Sequence, residues 1–77
     1  MNGKKIVVNP RIYHGQPCFK GTRVMVYLVL ELLEVGVPPK KIVTDYYPNL
    51  TLTDIRAALH YAVSLIKNEE FVPFATA

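Results

Sequence analysis

The chain of 77 residues has one cysteine and no tryptophan. Cys18 has no second cysteine to pair with, which excludes an intramolecular disulfide. A structural zinc site is excluded on the same ground. Cys18, His14 and His60 are the whole supply of thiolate and imidazole ligands, and a tetrahedral site of that kind wants four with characteristic spacing. Long apolar runs are missing as well. The stretch from Val24 to Leu30 is apolar but far shorter than the roughly 20 residues of a membrane span, and Glu31 and Glu34 interrupt its continuation. The start, Met-Asn-Gly-Lys-Lys, is basic without the apolar stretch of a signal peptide. A cytoplasmic protein with no membrane partner is the expectation, and a lone free thiol suits a reducing compartment.

What is present is apolar. Hydrophobic residues make up 51% of the chain, a high share for so short a sequence. A domain of about 60 residues buries only roughly 60% of the surface its unfolded chain exposes, so small domains usually carry a staple. With disulfide and metal removed, a subunit interface is the staple left. Nine Lys and Arg against six Asp and Glu give a net charge of +3. That balance permits nucleic acid as a partner without arguing strongly for it.

Residues 1–77 read as one domain: an extended arm over 1–22, a helical core over 23–68 and an apolar tail over 69–77. In the arm, Lys4 to Asn9 reads as a short strand, His14-Gly15-Gln16-Pro17 as a turn, and Cys18-Phe19-Lys20 as a second short strand. The first helix is expected from about Val24 to Val35, ended by Gly36 just past its C-cap. At about 100° per residue, Tyr27, Glu31 and Glu34 share one face and apolar residues cover the rest of the circumference. Such a helix is either the central helix of a tight fold or one that packs on its own core and on a second copy. The second reading is favoured, because the chain is too short to surround the helix alone.

Pro38-Pro39 opens the second helix, which runs from Lys40 to about Tyr46 with Ile42, Val43 and Tyr46 facing inward. Tyr47-Pro48 ends it. The third helix starts at Thr51 as N-cap, with Asp54 as the carboxylate partner of a capping box and Leu50 and Ile55 as a hydrophobic staple. It continues to about Asn68. Ile55, Leu59, Ala62 and Ile66, joined by Ala58 and Leu65, form its apolar stripe, with Arg56, His60, Ser64 and Lys67 opposite. The tail is unusual for a chain end, with Phe71, Val72 and Phe74 around a proline.

The second and third helices with the Tyr47–Leu50 turn form a helix-turn-helix. In such motifs the N-terminal residues of the second helix reach base edges in the major groove. Those positions are Thr53, Arg56, Ala57 and His60. Arg56 suits bidentate contact with guanine, while Lys40, Lys41 and Lys67 suit phosphates. The competing reading is a solvated face on a helical fold that binds no DNA. No catalytic constellation emerges. A lone cysteine in an apolar arm is usually a small buried hydrophobe, and Gly15 and Gly21 lack the lysine and helix start of a phosphate-binding loop. No cofactor or metal is expected, and the chain is read as non-enzymatic.

The phrases HGQPCFKGTRVMV and LLEVGVPPKKIVTDYYPNLTLTDIRAALHYA closely resemble the small bacterial and archaeal family named "domain of unknown function 433". Its hallmark is a Gly-x-Pro-x-(Ile/Val)-x-Gly-Thr-Arg segment, a helix and a glycine, then a Tyr-Pro-x-Leu-Thr turn before an alanine-rich helix. Gly15, Pro17, Gly21, Thr22, Arg23, Gly36, Tyr47, Pro48, Leu50 and Thr51 match, followed by Ile55, Ala58, Leu59, Tyr61 and Ala62. Phe19 departs from the pattern, standing where a branched aliphatic is usual. Pro39 and Lys40 make the second helix more basic than is common. The resemblance implies a mainly α fold, a homeodomain-like three-helix helix-turn-helix bundle with a short N-terminal β arm or hairpin. It also implies homodimers and a VapB-like antitoxin role beside a PIN-like toxin. No catalytic residues come with it.

The Gly-Thr-Arg segment also has a reading of its own. Gly21 permits a turn that other residues resist, and Thr22 is placed to cap the first helix. Arg23 opposes the helix dipole, so it is expected to pair with a carboxylate or carbonyl, across a dimer if not within the chain. A structural corner is the favoured role for the segment. The leading expectation for the whole is a dimeric antitoxin of a type II toxin-antitoxin system that binds its own operator DNA and a PIN-like toxin, with Phe71, Val72 and Phe74 in a groove on the toxin. The alternative is a protein-interaction or dimerisation module of the same fold without DNA binding.

Overall fold

A computed structural model describes residues 4, 6–11 and 13–68. Two short strands, β1 (Ile6–Val8) and β2 (Pro17–Phe19), form an antiparallel hairpin. Three helices follow: α1 (Val26–Glu34), α2 (Pro39–Lys41) and α3 (Leu52–Asn68). The fold is therefore a mainly helical three-helix bundle with an N-terminal hairpin, as the sequence leads one to expect.

The hairpin pairs Ile6 with Phe19, Val7 with Cys18 and Val8 with Pro17. Proline donates nothing to the ladder, so it sits at the first residue of β2. The intervening chain turns through a 3-10 segment, Tyr13–Gly15, in which His14 (φ 56°) and Gly15 (φ 80°) are left-handed.

The first third of the chain is more than an arm. Phe19, on β2, is 0% exposed and is the largest wholly buried side chain. It joins Val24, Val26, Val29, Ile42, Leu50, Ile55 and Ala58 in one core, with Ile6 of β1 packed against it. The hairpin therefore shares one core with the helices and places Phe19 at its centre.

The Gly-Thr-Arg segment makes this possible. Phe19 C=O accepts from Thr22 N–H at 3.0 Å and from Thr22 Oγ1 at 2.7 Å. Gly21 takes φ 81° at the third position of this turn, where a side chain is strained. Thr22 Oγ1 also accepts from Val24 N–H at 3.0 Å, and Phe19 N–H donates to Val24 C=O at 3.1 Å. Thr22 therefore does not cap α1, contrary to expectation. The first helix begins later than expected because Val24 and Met25 are still extended against β2, Met25 forming a bridge to Cys18.

Helix α1 ends in a Schellman motif. Gly36 (φ 94°) donates to Leu33 C=O at 3.0 Å and Val37 N–H to Leu32 C=O at 2.9 Å. This satisfies carbonyls that helix termination leaves orphaned. Tyr27, Glu31 and Glu34 are exposed on one face, as expected, while Val26 and Val29 are buried. Leu30, Leu32 and Leu33 are half-buried against the chain's own core.

Pro39 opens α2, but the helix widens after Lys41 into a π-turn, Ile42–Tyr46, closed by Tyr47 N–H to Ile42 C=O at 2.7 Å. A turn closed across five residues brings Tyr47 back over Ile42. Tyr47 therefore packs on the core while Tyr46 stays 46% exposed, reversing the expectation for Tyr46. Ile42 and Val43 face inward as expected.

Candidate nucleic-acid and protein interface on helix α3

Helix α3 starts from a reciprocal capping box. Asp54 N–H donates to Thr51 Oγ1 at 3.2 Å, and Thr51 N–H donates to Asp54 Oδ2 at 2.9 Å. Leu50 and Ile55, at the staple positions, are both buried. The Asp54 carboxylate does more than cap. It is 0% exposed, accepts the Lys4 backbone N–H at Oδ1, and pairs with Lys4 Nζ at 3.2 Å through Oδ2. Burial alone would raise its pKa. The N–H groups of Lys4 and Thr51, with the Lys4 ammonium, outweigh that and hold the carboxyl below its ordinary value. One carboxylate thus locks the chain preceding β1 onto the first turn of α3. The sequence announces the capping box but not the tie to Lys4, which is 50 residues away.

Beyond that turn α3 has three sides. Asp54, Ile55 and Ala58 are buried, with Tyr61 packed on the core. A polar strip carries Thr53, Arg56, His60 and Lys67, all exposed, with Ala57 and Ser64 half-buried at its edge. Ser64 Oγ lies 3.4 Å from His60 Nε2. Between strip and core runs a ridge of Leu52, Leu59, Val63 and Ile66, all exposed. Leu59 and Ile66 were expected in the buried stripe, as was Leu65, which is 55% exposed. The core is too small to reach around the helix, so it takes Ile55 and Ala58 and leaves these out.

Lys40 and Lys41 are exposed at α2, and the turn Tyr47–Leu50 leads from there into α3, with Leu50 N–H bonded to Tyr47 C=O at 2.9 Å. The helix-turn-helix places the expected DNA-reading side chains on one solvent-facing strip. Arg23 is exposed and makes no ion pair or hydrogen bond among the described residues, so its expected partner is not found among them. Gly15 and Pro17 frame the turn into β2. Phe71, Val72 and Phe74 lie outside the described residues.

Cys18 is 7% exposed, and burial pushes its thiol pKa up. A thiol kept protonated is a poor nucleophile. Among the described residues no three His, Cys, Asp or Glu side chains gather as a metal site would require. No described helix is long and apolar enough to cross a membrane.

Fold and surface together define a small helix-turn-helix module whose outward helix offers a cationic strip beside an apolar ridge. The chain belongs to the family described as "Protein of unknown function (DUF433)", whose profile matches residues 6–62. That span takes in the hairpin, the Gly-Thr-Arg corner, α1, α2 and the first part of α3. No curated protein and no solved structure matches the chain.

Proposed function

We propose that this chain is a non-enzymatic, dimeric, cytoplasmic antitoxin-like protein of a type II toxin-antitoxin system, binding its own operator DNA and a PIN-like toxin. The supporting observation is the exposed strip of Thr53, Arg56, His60 and Lys67 on α3, following Lys40 and Lys41 across a tight turn. A recognition helix presents base-reading side chains near its N-terminus and phosphate contacts around them. Arg56 is the base reader in this reading, while Lys40, Lys41 and Lys67 contact phosphates. A dimer reads half-sites about 34 Å apart, or a multiple of that.

Binding to the DNA upstream of the chain's own gene, titrated with salt, tests the reading. Lys40, Lys41 and Lys67 from each of two protomers, each neutralising one phosphate, give a slope of log affinity against log salt of about −5. Arg56→Ala is expected to lower operator affinity by tenfold or more. Equal binding by wild type and variant overturns the assignment of the reading face. For the toxin, deletion after Glu70 removes Phe71, Val72 and Phe74 and is expected to abolish toxin binding while the dimer stays folded.

A second reading is favoured by the ridge. Leu52, Leu59, Val63 and Ile66 border the strip, and large aliphatic groups gain little in a groove lined by polar base edges and phosphates. On this reading the helix-turn-helix is a protein-interaction or dimerisation scaffold that binds no DNA, and the upstream fragment shows no salt-dependent shift.

A further inference from the structure

The ridge on α3 has a shape and a border that specify its partner. Leu52, Leu59, Val63 and Ile66 are 48%, 44%, 50% and 73% exposed. At about 100° and 1.5 Å per residue they fall within an arc of about 60° and along about 21 Å. Four large apolar side chains in one line exceed the scattered exposure normal for a soluble surface. A contact this long and narrow matches a rod packed lengthwise, as one helix packs on another.

Charge narrows the choice of rod. On one flank the ridge meets Arg56 and Lys67, with His60 beyond. On the other it meets Ile55 and Ala62, which turn into the protein. Among the described residues α3 exposes no carboxylate, because Asp54 is buried. Flanking charges of this kind set partner choice in paired helices. Two copies of α3 paired antiparallel along the ridge bring both cationic strips to the same side, like charge beside like charge. A parallel pair turns each strip toward the body of the other copy, where α3 itself exposes no carboxylate among the described residues. Neither arrangement complements the strip.

We propose that α3 docks an acidic amphipathic helix of another protein, its apolar face on Leu52, Leu59, Val63 and Ile66 and its carboxylates on Arg56 and Lys67. This deepens the protein-partner half of the functional reading and does not depend on the DNA half.

Two synthetic helical peptides test it, sharing one leucine heptad pattern, one flanked by Glu and the other by Lys. Their binding to the full chain is read by fluorescence anisotropy at low and high salt. The Glu peptide is expected to bind, with affinity falling as salt rises, and the Lys peptide to bind at least tenfold more weakly. Val63→Glu is expected to abolish binding of the Glu peptide and Arg56→Glu to weaken it about tenfold or more, with helical circular dichroism unchanged. Ile66→Glu, at the most exposed ridge position, serves as a second variant should Val63→Glu unfold. Equal binding of the two peptides, or binding of neither, overturns the proposal. So does a wild-type chain that light scattering shows to be a dimer and that both ridge variants turn into monomer, because the ridge then belongs to a second copy. Toxin binding that survives both ridge variants keeps the toxin reading and removes α3 as its site.

Discussion

The first turn of α3 and the outward side of the same helix are built on opposite principles. At the first turn, no buried side-chain polar atom among the described residues lacks a partner. The Asp54 carboxylate takes the N–H groups of Lys4 and Thr51 and the Lys4 ammonium, and Thr51 returns a bond to the Asp54 N–H. Leu50, Ile55 and Ala58 close over the same turn. On the outward side, Leu59, Val63 and Ile66 stand in solvent next to cations that make no ion pair among the described residues. A region whose contacts are complete within the chain holds the fold. A region with incomplete contacts costs stability in the free chain and is where partners have something to gain. The contrast assigns folding to the first turn of the helix and makes the outward side the place where the proposed recognition is to be tested.

The largest expected effect lies on the closed side. Phe19→Ala empties the centre of the core and is expected to cost about 3–5 kcal/mol, read by chemical denaturation. For a domain whose whole stability is on the order of 5 kcal/mol, much of the variant should be unfolded at room temperature. A small effect would show that the hairpin is an appendage after all.

Asp54→Ala comes next, at on the order of 2 kcal/mol, from loss of a cap and a buried charge-assisted cluster. The acid dependence of stability carries the same information. The folded carboxyl lies below its ordinary value, so the unfolded chain binds the proton more readily. The stabilisation from Asp54 is present in full above the unfolded value of about 3.9 and is lost as pH falls through the folded one. Asp54→Asn is expected to flatten the melting-temperature profile in that acid window and leave the profile near neutrality parallel to that of wild type.

Gly36→Ala should cost about 1 kcal/mol, because the Schellman turn holds it at φ 94° with no atom crowding the missing side chain. Its effect on binding at α3 is expected to be nil. Smallest of all are the open-side changes. Arg56→Ala and Ile66→Ser should each shift stability by no more than about 0.5 kcal/mol, while the first lowers operator binding and the second lowers partner binding. If Ile66→Ser destabilises the isolated chain by several times that amount, the ridge is already covered in solution and the contrast fails.

Much of the fold is legible because its signals are local. Thr51 and Asp54 stand three apart with Leu50 and Ile55 around them, Gly36 follows an apolar run, and Pro48 follows a tyrosine pair. Each is a backbone requirement met by residues within a turn of one another. The misreadings come where contacts are distant. Tyr46 and Tyr47 are adjacent and chemically identical, and only the π-turn decides which faces the core. Leu59 and Ile66 have the spacing of a buried stripe, and only the size of the core decides that they stay outside. Thr22 has the look of a cap, yet β2 holds the chain extended through Met25 and moves the helix start beyond its reach.

The cationic strip was legible for the same reason as the caps, since helix periodicity alone gathers Arg56, His60 and Lys67. The ridge was not, because helix periodicity sorts residues by direction and does not say how far around a helix the rest of a small protein reaches. By itself the sequence determined the elements, their order, the capping of α3, the corner at Gly21 and the family. Tertiary structure alone decided that Phe19 is the centre of the core, that Asp54 holds Lys4, and that one apolar side of α3 is left exposed. The reason is that burial is a property of the assembled volume, and a chain this short has too little volume to cover every apolar residue it carries.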